Sequence, residues 1–135
     1  MAMSAAAGLT DDELAFLHDA LDLARHGPAE QLAALIEQGL PVNLTGGSGD
    51  SLLILAAYHA QVDTVRMLLE RGADHARVND RGQTALGAAT FRQSGEGVRA
   101  LLAAGADPDL GTPSAVDVAR FFALPEMAAL LAERS

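Results

Sequence analysis

The chain has 135 residues, of which 50% are apolar, with no cysteine, no lysine and a formal net charge of −9. Without cysteine there are no disulfides, thiol nucleophiles or thiolate metal sites; an acidic field repels phosphate backbones, which argues against nucleic acid and favours a basic protein as partner. The strongest apolar run, Leu52 to Tyr58, is far shorter than the roughly 20 residues of a membrane-spanning helix, and Met1 to Gly8 lacks the basic and apolar regions of a secretory signal, so the expectation is a cytoplasmic monomer.

In chain order, residues 1–9 are small and uncharged and read as a disordered tail. Leu9-Thr10-Asp11-Asp12-Glu13-Leu14 has the form of a capping box, with Thr10 as N-cap, Glu13 reaching back, and Leu9 stapled to Leu14. The first helix is therefore expected to start near Asp11 and to stop before Gly27, with its acidic first turn at the positive end of the helix dipole. Pro28 opens the second helix, which ends before Gly39; Pro41 to Asp50 is a polar turn. Ser51 and Thr84 are N-caps, each preceded by a glycine within two residues. After Thr84, positions 86, 89 and 90 give one helix its apolar face, and Val98, Leu101 and Leu102 give a second. Asp74 to Gly82 and Asp107 to Thr112 are further polar turns, and Pro125 opens the last helix.

A 33-residue period runs through these elements: Leu35-Ile36-Glu37-Gln38-Gly39 returns as Leu68-Leu69-Glu70-Arg71-Gly72 and as Leu101-Leu102-Ala103-Ala104-Gly105. The glycines fall where a helix C-terminus needs a left-handed residue. A repeat of this length means a stack of similar units, each burying its apolar face only against its neighbours, which leaves little room for a deep internal active site. The predicted fold is an all-α solenoid of about four helix-turn-helix units with short projecting hairpin fingers. The units run over 10–45, 46–78, 79–111 and 112–135 in one domain, residues 10–135.

Gly82-Gln83-Thr84-Ala85-Leu86-Gly87-Ala88-Ala89, followed by Leu101-Leu102-Ala103-Ala104-Gly105-Ala106-Asp107, resembles the ankyrin repeat, and the resemblance covers Phe16 to Leu131. It departs from the family's Thr-Pro-Leu-His, which here reads Ser51-Leu52-Leu53-Ile54, Thr84-Ala85-Leu86-Gly87 and Ser114-Ala115-Val116-Asp117. In the family the histidine joins a hydrogen-bond network between units, so the stack is expected to rely more on apolar contact. The fourth finger is shorter than the third, as expected of a terminal cap.

Catalytic chemistry finds little support. Thr45-Gly46-Gly47-Ser48-Gly49-Asp50 lacks the lysine of a phosphate loop, and Asp50 stands where a nucleophile elbow after Ser48 would need glycine. His18, His26, His59 and His75 form no helical ligand pair. His26 and His59 are equivalent in neighbouring units, but helix axes about 8–10 Å apart would keep them from sharing a metal. Asp107-Pro108-Asp109 reads as turn chemistry; Glu70, Arg71, Arg66 and Arg99 read as solvated. No cofactor, metal site or enzymatic activity is expected.

The resemblance implies partner binding at the finger tips and at the exposed end of each unit's first helix, both facing a concave groove. Those helix ends are Arg25-His26, Tyr58-His59, Phe91-Arg92 and Phe121-Phe122, and four of the five aromatic residues of the chain fall on them. Phe121 and Phe122 are the pair of which the terminal unit could bury one. Around them the finger residues Ser48, Asp50, Asn79, Asp80, Arg81 and Gln83 read as a solvent-facing polar rim. Rings and arginines dominate many interfaces, so the function expected is a non-catalytic protein-binding module. Two alternatives are an accessory protein handling haem or another small ligand for a redox enzyme, which the resemblance allows, and an acidic immunity-type antagonist of a basic toxin.

Overall fold

The computed structural model describes residues 10–133, so the tail over 1–9 and the Leu9 half of the staple lie outside the described residues. Among those residues there are eight helices and no strand: α1 Asp11–His26, α2 Ala29–Glu37, α3 Leu52–Tyr58, α4 Val62–Glu70, α5 Ala85–Phe91, α6 Gly95–Ala103, α7 Ala115–Phe121 and α8 Pro125–Ala132. The segments between helix pairs are turns, carrying only the isolated antiparallel bridges Thr45 to Ser51 and Gly111 to Ser114.

Each odd-numbered helix begins on a hydroxyl. Thr10 Oγ1 accepts from the Glu13 amide at 3.1 Å while Glu13 Oε1 accepts from the Thr10 amide at 2.9 Å, completing the expected box. Ser51, Thr84 and Ser114 repeat the bond to the amides of Ile54, Gly87 and Asp117 at 3.1, 3.0 and 3.1 Å. All three are buried, where an unpaired hydroxyl would be costly. Pro28 differs from expectation: it occupies the N-cap of α2, with Ala29 as the first helical residue, whereas Pro125 is within the first turn of α8.

Helices α1, α3, α5 and α7 stack in series as one layer, and α2, α4, α6 and α8 stack as a second layer behind them. The first layer explains the apolar run. Every residue from Leu52 to Ala57, and from Ala85 to Thr90, is buried, because each short helix is covered by the helices before and after it and by its own partner behind. Thr90 is accommodated there by donating its hydroxyl to the Leu86 carbonyl at 2.8 Å. In the second layer only one stripe is buried, and Leu32, Val65 and Val98, one period apart, are each at most 1% exposed.

Gly39, Gly72 and Gly105 take positive φ of 114°, 86° and 100° past the second-layer helices, as expected. A second left-handed position recurs in the turn inside each helix pair, at Gly27, Ala60, Gln93 and Ala123, and only the first of these is glycine.

Hydrogen bonds between successive fingers add to the apolar contact between units. Asn43 Oδ1 accepts from the Asp74 amide at 2.8 Å, the Ser48 carbonyl from the Asp80 amide at 3.1 Å, and the Gly82 carbonyl from the Thr112 amide at 2.9 Å. These bonds join successive fingers edge to edge. Arg71, expected to be solvated, instead reaches back one unit to Glu37 at 2.6 Å, and Arg66 lies 3.7 Å from Glu96. The Asp107 carboxylate accepts from the Asp109 amide, as Asp74 does from Ala76, which bears out the turn reading.

Candidate functional site

The C-terminal ends of α1, α3, α5 and α7 lie side by side because the helices stack in register, and their rings touch in sequence. His26 meets His59 edge-on at a centroid distance of 5.8 Å, and His59 meets Tyr58 at 5.3 Å. Tyr58 stacks parallel to Phe91 at 6.1 Å, Phe91 meets Phe122 at 5.3 Å, and Phe122 meets Phe121 at 4.9 Å. These separations are the preferred range for aromatic pairs. The row nevertheless remains open to water: Tyr58 is 43%, Phe91 42%, Phe122 48% and Phe121 82% exposed. Neither terminal phenylalanine is buried as a cap.

The row forms one wall of a groove of about 740 Å³. Its floor comes from residues one turn earlier on the same helices, Ile54 and Leu55 on α3, Gly87 and Ala88 on α5, and Val118 on α7. The opposite wall is built by the fingers, through Asp50, Arg81, Gln83 and Pro113. Gly87 and Ala88 are smaller than their counterparts Ile54 and Leu55 one period earlier. These floor positions were missed from sequence, although counting back one helical turn from Tyr58 and Phe91 would have reached them.

A family profile for ankyrin repeats, in three copies, matches residues 17–112. The chain belongs to the ankyrin repeat family. A Pseudomonas aeruginosa protein named as an ankyrin repeat protein, PA3287, is 55% identical over 51 residues, a stretch that is 38% of this chain and 30% of that protein. Ankyrin repeats are generally protein-interaction modules. The matched residues stop before α7 and α8, which follow the shortened finger.

The polar side chains in and beside this ankyrin groove are largely engaged within the domain; Arg92 and Asn79 stand beside it and do not line it. Arg25 pairs with Asp22 at 2.8 Å on its own helix. Arg92 donates to the Tyr58 carbonyl at 2.7 Å and lies 5.9 Å from the Tyr58 ring centre, a cation–π contact between units. Asn79 Nδ2 donates to Asp50 Oδ1 at 2.7 Å and to Gln83 Oε1 at 2.9 Å, while its own Oδ1 accepts from the Arg81 and Gln83 amides. Asn79 is thereby 5% exposed, which corrects its assignment to a solvent-facing rim. Asp50 and Gln83 are half-buried parts of the same network, while Ser48, Asp80 and Arg81 are exposed as expected.

The two histidines also depart from expectation. The His26 and His59 ring centres are 5.8 Å apart, closer than the about 8–10 Å typical of helix axes. Burial lowers the pKa of His59 below its ordinary value, and the nearby His26, Arg25 and Arg92 lower it further. No cluster of three or more histidines and carboxylates that could hold a metal ion occurs among the described residues. The site thus offers apolar rings and edges that carry both arginine and aspartate, the components of a recognition surface.

Proposed function

We propose that this ankyrin repeat domain is a non-catalytic module that binds a partner protein in the groove between the aromatic row and the fingers. The observation that supports it is the unbroken series of rings from His26 to Phe121, which crosses every helix pair while its apolar members stay more than 40% exposed. Rings needed only for packing would be drawn further under cover. A contiguous apolar strip of this kind loses water on association, and aromatic residues at its centre are the side chains whose truncation most often costs an interface about 2 kcal/mol or more.

Tyr58→Ala combined with Phe91→Ala provides the test. Pull-down from the native cell is expected to lose the partner, while the variant still folds with a lowered melt, since the stacking contributes roughly 1 kcal/mol and the partial burial of each ring roughly 1 kcal/mol more. Collapse of the fold in the double variant, or undiminished capture, would show that the rings serve the stack alone.

A further inference from the structure

His26 and His59 close the ring row at its first unit, and they differ from its other members in carrying nitrogens that can bind a metal ion. His26 is the last residue of α1 and His59 is the C-cap of α3, so the pair joins the first unit to the second. Among the described residues these are the only two histidines whose rings meet, and neither imidazole makes a hydrogen bond to another of those residues. Their nitrogens are therefore uncommitted. Water reaches them, since His26 is exposed and His59 half-buried.

The separation of the rings fits a shared ion. With metal–nitrogen bonds of about 2.0–2.1 Å along each ring axis, two imidazoles on one ion have centres about 4.5 Å apart at a right angle, about 5.2 Å at the tetrahedral angle and about 6.4 Å when opposed. The observed 5.8 Å lies inside that range, and the exposed His26 ring can rotate to turn a nitrogen into the gap.

The electrostatics of the junction select among ions. Only a neutral imidazole binds a metal, and burial, then His26, Arg25 and Arg92, hold the pKa of His59 below its ordinary value. The same arginines repel a divalent cation. Arg25 is offset by Asp22 at 2.8 Å, and the C-terminal carbonyls of α1 favour positive charge where His26 stands. Mg²⁺ and Ca²⁺ take oxygen ligands, and no set of three carboxylates or histidines exists among the described residues to hold them. Zn²⁺ and Ni²⁺ bond well to imidazole and depend less on a carboxylate cage.

We propose that His26 and His59 form a two-histidine site for a transition-metal dication of the Zn²⁺ or Ni²⁺ type, with water completing the coordination shell. The ion braces the first unit against the second at the end of the ring row, where His59 also meets Tyr58. This site does not depend on partner binding, because His26 does not line the groove.

Calorimetric titration of the full, untagged chain with Zn²⁺, Ni²⁺, Mg²⁺ and Ca²⁺ in turn provides the test. One Zn²⁺ or Ni²⁺ per chain is expected, with no binding of Mg²⁺ or Ca²⁺, and Zn²⁺ should shift the imidazole NMR signals of both His26 and His59. His26→Asn and His59→Asn should each weaken Zn²⁺ binding by about tenfold or more, at least what loss of an outer-shell partner costs a metal site. His18→Asn, at an exposed position on α1, should bind as the parent does. Saturating Zn²⁺ should raise the melt of the parent and of His18→Asn and leave that of the other two variants where EDTA leaves it, a readout that loss of ring packing alone would not produce. No binding by the parent, unchanged binding in both Asn variants, or loss in only one of them would overturn the shared site, and the groove reading would stand in each case.

Discussion

Gly82 is a residue at which two fingers meet backbone to backbone, and its replacement by alanine tests how the stack is held. Its φ is +79°, and a Cβ there would lie 2.8 Å from the Thr112 carbonyl oxygen, in backbone that cannot rotate aside. The Gly82 carbonyl also accepts the Thr112 amide at 2.9 Å, so relieving the clash separates the very groups that are bonded. Gly72 supplies the control: its φ is +86°, but a Cβ there meets nothing within 4 Å. A left-handed L-residue costs about 1–2 kcal/mol, reduced by about 0.4–1 kcal/mol because alanine also restricts the unfolded chain. Gly72→Ala is therefore expected to lose about 1 kcal/mol. Gly82→Ala carries the same cost, plus about 1 kcal/mol for the weakened hydrogen bond and about 1 kcal/mol or more for the displaced backbone. Its loss should be about 3 kcal/mol. Urea unfolding followed by circular dichroism on both variants measures the difference of about 2 kcal/mol directly. Equal losses would mean that the finger contact contributes nothing and that the stack rests on its helices alone. Because Arg81 and Gln83 flank Gly82 and line the groove, the same variant should also bind any groove ligand more weakly.

Three further outcomes follow from the geometry. Ala60→Gly and Ala123→Gly relieve left-handed turns at φ 57° and 53°; each should stabilise by up to about 1 kcal/mol, the relief exceeding the added unfolded-state entropy, as measured by the urea midpoint. Thr84→Ala removes the hydroxyl that accepts from Gly87 and should cost about 1–2 kcal/mol, whereas Thr84→Ser should retain most of it. Stability should also fall as pH drops through the ordinary histidine value of 6.5 towards the lowered value of folded His59, because over that window the unfolded chain binds a proton that the native chain holds less readily. Above the window both states are neutral there and the effect is absent; His59→Gln should flatten this part of a melt-versus-pH curve, and an unchanged slope would refute the assignment.

Much of the fold was written in local spacing. The 33-residue return of Leu-Leu-x-x-Gly, the hydroxyls before each first-layer helix and the capping box at Thr10 all act over a turn of chain or less. They could therefore be read without knowing what packs against them. The ring row was legible for a related reason: once the period is known, equivalent positions must line up on one face of a stack in register. The family resemblance supplied the meaning of that face, and the period supplied its members.

What tertiary structure decided depends on contacts that cross from one unit to the next. Asn79 was read as a rim residue because a finger looks solvated in isolation; it is buried because Asp50, 29 residues earlier, lies against it. Arg92 was read only as a partner-binding residue, and its link to Tyr58, 34 residues back, depends on packing between units, as does the contact of Arg71 with Glu37 at the same separation. The closeness of His26 to His59 belongs to the same class. Sequence fixes which charges the chain carries, but pairing removes some of them from any partner's reach, and only packing between units determines which remain.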